Sequence, residues 1–316
     1  MILGTVHRRF SRFLVYILTW AFRWFCLSVL LGFLIIFHRK QLKRNEHLSD
    51  YSFHLCGSRT TNRGLRQRVI ALSIFGPKEN QLFLRNTSLL FLYQLLNEAV
   101  LTYPGWTVRV YHDNTMHDHE TYKILYQYDN VDFCNMTNES FLPPRMWRFS
   151  AAGDPLVDIM ISRDLDSPLT QRERAAVDEW LASDTIFHGM RDHPDHNTLI
   201  LAGMWGFRPE LNRTLSIQIW NKLQNRTLVR KYTRDGDQPF LVNEVWPYVK
   251  KSSLFHDSFH CNQFNGNMKP FPTKRPSING SNIFVGCIKP CTDDRYVFGE
   301  CPINCRPNHH KEWIYC

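Results

Sequence analysis

Runs and alternations of apolar residues divide the chain before any single residue suggests chemistry. Residues 69–75 (Val-Ile-Ala-Leu-Ser-Ile-Phe) form a continuous apolar run stopped by Gly76-Pro77, the pattern of a strand covered on both faces of a parallel sheet. Residues 80–101 carry apolar side chains at helical spacing through Leu84, Leu89, Leu92, Leu95, Leu96 and Val100. Past the Pro104-Gly105 turn, 108–113 (Val-Arg-Val-Tyr-His-Asp) reads as a second strand that ends in an acid. Strand, helix and strand in this order predict a parallel crossover.

The same pattern continues. Residues 157–161 (Val-Asp-Ile-Met-Ile) read as a central strand, and Thr170-x-x-Glu173 is a capping box opening a helix through Trp180-Leu181. A short strand follows at 186–190. The 199–207 segment is apolar but broken by glycines, which let backbone approach a ligand closely. A helix at 214–223, a polar loop at 234–239 and a helix through Trp246 complete the regular part. From Cys261 onward Pro, Gly, Asn and Cys dominate, which predicts a disulfide-stapled cap over 261–316. There is no internal repeat and no Gly-rich phosphate loop. The expected class is α/β, a mostly parallel sheet flanked by helices.

Charge sharpens this division. The chain has a formal charge of +9, but residues 1–44 hold eight Lys/Arg and no acid, leaving 30 basic against 29 acidic residues beyond them. The near-neutral remainder removes the electrostatic case for nucleic-acid binding. The other basic residues flank a nearly all-apolar segment, 13–37, whose only charge is Arg23. About 20 apolar residues span a bilayer, so the expectation is a cytoplasmic tail at 1–12, a transmembrane anchor at 13–37 and a polar, unstructured stem at 38–66. The uninterrupted stretch from residue 24 also fits a cleavable signal, although no small-residue site follows Phe37.

Six Asn-x-Ser/Thr sequons (Asn86, Asn135, Asn138, Asn212, Asn225, Asn279) exceed the two or three that chance supplies at roughly this composition. They place the bulk of the chain in the secretory lumen. Eight cysteines lie outside the anchor, an even number that reads as disulfides of open pairing. A zinc site within 287–305 is the alternative, at spacings unlike those of paired zinc ligands.

The candidate chemistry sits at Asp164-Leu165-Asp166, just past the 157–161 strand. Carboxylates at i and i+2 in extended chain point the same way, and a hard divalent cation takes oxygen ligands grouped like that. In open α/β sheets ligands collect beyond the carboxyl ends of strands. A second Asp-x-Asp, Asp235-Gly236-Asp237, follows no strand and reads equally as a solvated turn.

Together these features resemble the GT-A-fold, metal-dependent glycosyltransferases. Three segments are similar to those of a less-characterised group of small glycosyltransferases. They are Trp147-Arg148-Phe149 with Asp154-Pro155; Arg163-Asp164-Leu165-Asp166-Ser167; and Met190-Arg191-Asp192-His193-Pro194 followed by Gly203-Met204-Trp205-Gly206. The similarity covers about 68–260, so a GT-A-like catalytic domain is expected over 67–260.

The resemblance implies a nucleotide-sugar donor and a divalent cation, Mn2+ or Mg2+. Asp166 would ligate the cation directly, with Asp164 on the cation or the ribose and His256 as third ligand, His260 standing second. Asp113, Arg148, Arg163, Asp164, Gly203 and Trp205 would contact the sugar nucleotide, Trp205 by stacking on a sugar. Asp237 would face the acceptor hydroxyl, and His193 and His196 would serve acceptor or phosphate contacts. Each of these residues also has a structural reading, as a turn, surface or core residue. The implied acceptor is a glycan, glycoprotein or glycolipid, the membrane is met through the N-terminal helix, and the address is the Golgi or ER membrane, single-pass type II. A luminal phosphosugar transferase of nucleotidyltransferase fold, a cysteine-rich glycan-binding protein and a degenerate transferase are the competing readings.

Overall fold

The protein is described by a computed structural model covering residues 20, 22–36, 39, 55–76, 82–116, 118–139, 141–232, 236–264, 266–278, 281–291 and 299–316. Two compact units divide the chain, Met1–Asp50 and Tyr51–Cys316. In the first, residues 22–36 are helical. Among the described residues no helix is long and apolar enough to cross a membrane; residues 13–19, 21 and 37 of the expected anchor lie outside them.

The second unit is built on an eight-stranded sheet. Its strands are β1 (Gln67–Ile74), β2 (Thr107–His112), β3 (Val131–Asn135), β4 (Val157–Arg163), β5 (Phe187–Arg191), β6 (Met204–Phe207), β7 (Ser253–Asp257) and β8 (Asn267–Lys269). The order is β3-β2-β1-β4-β6-β5-β7-β8. Only β6 runs against its neighbours, pairing antiparallel with β4 and β5. The crossover helices are α2 (Leu82–Thr102), α3 (Asp118–Gln127), α4 (Gln171–Leu181) and α5 (Arg213–Gln224).

Alternate residues of the apolar strands divide between two cores, which is why those strands read as continuous runs. Val69, Ala71 and Met160 join one core with Trp147, Phe149, Phe187, Trp205 and Phe207. Ile70, Leu72, Ile74, Ile159 and Ile161 join the other with Leu92, Leu95 and Leu96 of α2 and Val177 and Trp180 of α4. A period of two along a strand thus decides which layer each side chain meets.

The sheet-forming expectations hold within one or two residues, and α4 starts where Thr170 accepts the Glu173 N–H at 3.1 Å. The reciprocal half of that capping box is absent, because the Glu173 carboxylate turns inward to Arg163 and Tyr103. The unstructured stem does not extend to residue 66. Residues 55–62 form a helix, α1, whose Leu55 and Cys56 are buried, and Cys56 is bonded to Cys134 of β3. Closing a separation of 78 residues restricts the unfolded chain by about 4–5 kcal/mol.

The other cysteines pair as Cys261–Cys305, Cys287–Cys291 and Cys301–Cys316. The thiols of the 287–305 cluster are therefore consumed as disulfides, and the zinc alternative falls. The tail belongs to the same compact unit as the sheet.

Candidate functional site

A cleft of about 520 Å³ opens at the carboxyl ends of the central strands. β1 delivers Ser73 and Phe75 to it, and the turn after β4 delivers Asp164, Leu165, Asp166 and Ser167. The 3-10 turn Pro144–Ala152 adds Arg145 and Arg148. The β5–β6 connection adds His196 and the 201–204 segment, the helix start at Asp237–Phe240 adds Asp237 and Gln238, and the tail closes one wall with Gly286 and Ile288.

Arg148 organises the polar part. Its side chain is almost fully buried, because its neighbours Met146, Trp147 and Phe149 anchor the turn in the core. One guanidinium nitrogen binds the Asp164 carboxylate and donates to the Arg163 carbonyl at 2.9 Å; the other donates to Asp237 at 3.3 Å. The Arg148 backbone N–H is fixed to the Ser73 hydroxyl at 3.1 Å. On its far side Asp164 lies against Gly203, where a Cβ would sit 1.9 Å from a carboxylate oxygen, so only a glycine leaves room for it. The approach is set by β4 itself, since the Ser162 hydroxyl donates to the Ala202 carbonyl at 2.7 Å.

Asp166 has no such clamp. Burial, and then the charge of Asp164, raise its carboxyl above the usual range. Two carboxylates that repel each other at the mouth of a cleft are the electrostatic condition a divalent cation relieves. Their donors are all oxygen, which suits magnesium or manganese. Among the described residues no group of three His, Cys, Asp or Glu side chains converges as a ready cage.

Arg148, Asp164, Asp166, Gly203 and Asp237 are therefore brought together, and His256, Arg163, Trp205 and Asp113 are not. His256, expected as third ligand, is fully buried in β7, its Nδ1 2.8 Å from His188 Nε2 and its Nε2 3.1 Å from Glu179. It shares strand parity with Leu254, which packs in the α2/α4 core, so it faces α4 with both ring nitrogens engaged. Burial pushes both imidazoles below their ordinary pKa.

Arg163 shares parity with Ile159 and Ile161 and meets Glu173 of α4 at 2.6 Å. Trp205 is a core residue, its ring stacked on Phe187 at 5.7 Å and edge-on to Phe149 at 5.3 Å, which leaves no face for a sugar. Asp113 ties strand ends together: it accepts the Gly76 N–H at 3.3 Å and the Thr115 N–H at 3.1 Å. Asp154 pairs with buried Arg109 at 2.5 Å, away from the cleft that Arg148 of the same motif lines. Asp235 lies outside the described residues.

Of the remaining histidines, His260 spends its nitrogens on Gln263 and the Pro194 carbonyl. His193 accepts the Asp195 N–H at 3.1 Å and stacks on Phe284. His196 alone of these three lines the cleft. Ser73, Phe75, Arg145, Gln238, Gly286 and Ile288 also line the cleft, although no motif in the sequence singles them out. The end of β1 was the available signal, because ligands collect where parallel strands end.

No family model and no curated protein matches the chain. Solved structures do. A glycosyltransferase involved in the glycosylation of the major capsid of PBCV-1 is similar over 60% of this chain and 81% of that one, at 16% identity and a TM-score of 0.35. The glycosyltransferase GlyE of Streptococcus pneumoniae TIGR4 is similar over 61% of this chain and 45% of its own, at 9% identity and 0.37. Mouse xyloside xylosyltransferase 1 in its apo form is similar over 62% and 86%, at 12% and 0.34. Scores this low carry no functional weight by themselves.

Proposed function

We propose that the protein transfers a sugar from a nucleoside-diphosphate donor to a hydroxyl of a glycan, glycoprotein or glycolipid, with a divalent cation at Asp164 and Asp166. One observation carries this reading: a paired carboxylate at the end of a central strand opens into a cleft whose other polar side chains are Ser73, Arg145, Arg148, Ser167, His196, Asp237 and Gln238. Cationic and hydrogen-donating groups around a cation site suit a diphosphate better than a neutral ligand.

Within that reading the residues divide the work. Asp166, free of a guanidinium partner, would ligate the cation directly. Asp164 is already bound by Arg148, in the space that Gly203 leaves for it, and would contact the cation or the ribose. When bound, the cation supplies charge neutralisation for the departing diphosphate. Asp237 would stand toward the acceptor hydroxyl, its charge balanced by Arg148. The chain's own contribution is a fixed geometry, which keeps these groups from reorganising when charge develops.

The proposal extends to location. An anchor at 13–37 with a luminal catalytic unit, in Golgi or ER, accords with four disulfides and with exposed side chains at the sequon residues Asn135, Asn138, Asn212 and Asn225.

The test is donor turnover by the purified full chain with manganese, across a panel of UDP- and GDP-sugars, beside Asp166→Asn. Metal-dependent turnover of one donor, lost in the variant, is the expected result. Absence of both turnover and nucleotide binding sinks the reading, and binding without turnover assigns a degenerate transferase.

A further inference from the structure

His196 is held in one tautomer by the backbone. Its Nδ1 lies 3.1 Å from the Asp192 backbone nitrogen, a group that only donates, so Nδ1 carries a lone pair and no proton. The proton of the neutral ring is then on Nε2, which has no partner among the described residues. Burial, joined by the charges of His193, His260 and Arg191, brings the pKa down to about 3 against the opposing pull of Asp192. The ring is neutral across the physiological range.

The frame around this ring is rigid. The Asp192 carboxylate is fully buried and bound by Arg172 at 2.9 Å, Arg275 at 2.7 Å and the Ser258 hydroxyl at 2.6 Å. It also accepts the Val285 N–H at 2.9 Å, which draws the tail over the ring. Gly286 follows at φ +90°, and a Cβ there would lie 3.3 Å from His196 Cε1 and 2.4 Å from Met204 Sδ. Phe284 and His193 close on the ring edge-on, with centroids 5.6 Å away. Clamped this way, the imidazole keeps one orientation on the wall of the cleft.

A histidine that ligates a cation offers one nitrogen lone pair and donates from the other nitrogen to an acceptor behind it. His196 has the reverse polarity: it accepts behind and donates in front. The same polarity prevents it from taking a proton from an acceptor hydroxyl. A neutral N–H stands near a cation without repelling it. On a wall shared with Leu201, Met204 and Ile288, its bond to an anionic oxygen is strengthened by the low local dielectric.

We propose that His196 is the hydrogen-bond donor to the diphosphate of the bound nucleotide, and that it is neither a cation ligand nor a base. This rests on the diphosphate reading of the cleft given above. His196 thereby contributes to affinity for the nucleoside diphosphate itself, independently of sugar and acceptor.

The test uses the full chain with Mg2+ and UDP or GDP as probes. Long-range 1H–15N spectra of the histidines are expected to place the His196 proton on Nε2 with and without nucleotide. Calorimetry on His196→Met is expected to give about tenfold or more weaker nucleotide binding, the loss of one hydrogen bond to a charged group. Direct Mg2+ binding should stay within about twofold in that variant, and His196→Gln, which carries an N–H at the same reach, should restore most of the nucleotide affinity. A proton on Nδ1, nitrogen coupling from His196 to bound Mn2+, or a His196→Met protein binding nucleotide like wild type overturns the proposal. If wild type binds nucleotide and His196→Met binds it equally, only the role of His196 falls. If wild type binds neither nucleotide, the diphosphate reading falls with it.

Discussion

The backbone N–H of Lys289 donates to the backbone carbonyl of Asp166 at 2.8 Å, joining the C-terminal tail to the residue whose carboxylate faces the cleft. The five-residue ring closed by Cys287–Cys291 contains that contact, and Gly286 and Ile288 beside it line the same wall. Replacing both cysteines by serine should weaken nucleotide binding in Mg2+ about tenfold. A ring this short constrains the unfolded chain by only about 2 kcal/mol, so the unfolding temperature should fall by a few degrees. Calorimetry and thermal unfolding of the same sample separate the two effects. Unchanged binding would remove the tail from the site.

Gly203 carries a sharper expectation. A methyl group there would lie 1.9 Å from an Asp164 oxygen, so Gly203→Ala must displace the carboxylate from Arg148. Misplacement of that order costs about a hundredfold in rate, and the half-exposed Asp164 can move without disturbing the core. Turnover and urea unfolding measured together should show a lost activity in a folded protein.

Arg148 balances two carboxylates, one of them buried. Arg148→Met leaves Asp237 without its cation, a loss of about 2–4 kcal/mol in urea unfolding. The second change Asp237→Asn in that background should recover part of it. A stability equal to wild type would mean that the arginine is held for binding alone.

The Asp pair and the strands that carry it were legible because β1 and β4 are apolar on both faces and the carboxylates follow at once. Arg163, Trp205 and His256 lie away from the cleft for a reason also present in the sequence: the period of two along β4, β6 and β7 turns each toward a core. The parity of a strand decides this only once the neighbouring layers are known. The 3-10 turn at Pro144–Ala152 and the tail were less accessible, since neither has a period, and their contacts to Ser73 and Asp166 cross from distant parts of the chain. The helix at 55–62 was missed because Cys56 binds Cys134, a pairing that spacing does not reveal.

The Asp192 cluster predicts a dependence on acid. Burial alone would raise that carboxyl, but Arg172 and Arg275 hold it well below the usual range. A carboxylate depressed in the folded state stabilises fully above its unfolded pKa of about 3.9, and the contribution is lost as pH falls toward the folded value. Asp192→Asn should therefore lose about 3–5 kcal/mol at pH 7. Its stability should then fall less steeply below pH 4 than that of wild type, as read from urea midpoints across pH. Parallel acid limbs in the two proteins would place the acid sensitivity elsewhere.

His256 supplies the complementary case, a histidine whose loss should leave cation binding untouched. Its two nitrogens connect His188 to Glu179, whose other oxygen accepts from Lys269 at 2.6 Å. His256→Phe strands a buried His188 nitrogen and should lower stability by about 1–3 kcal/mol. Manganese affinity, followed by electron paramagnetic resonance of the free ion, should remain within about twofold of wild type, because neither ring nitrogen reaches the Asp164–Asp166 pair. Asp166→Asn in the same titration should weaken it by tenfold or more, about the contribution of one ionic ligand. A variant at 256 that loses manganese as strongly as the variant at 166 would restore the histidine to the ligand set and require β7 to open.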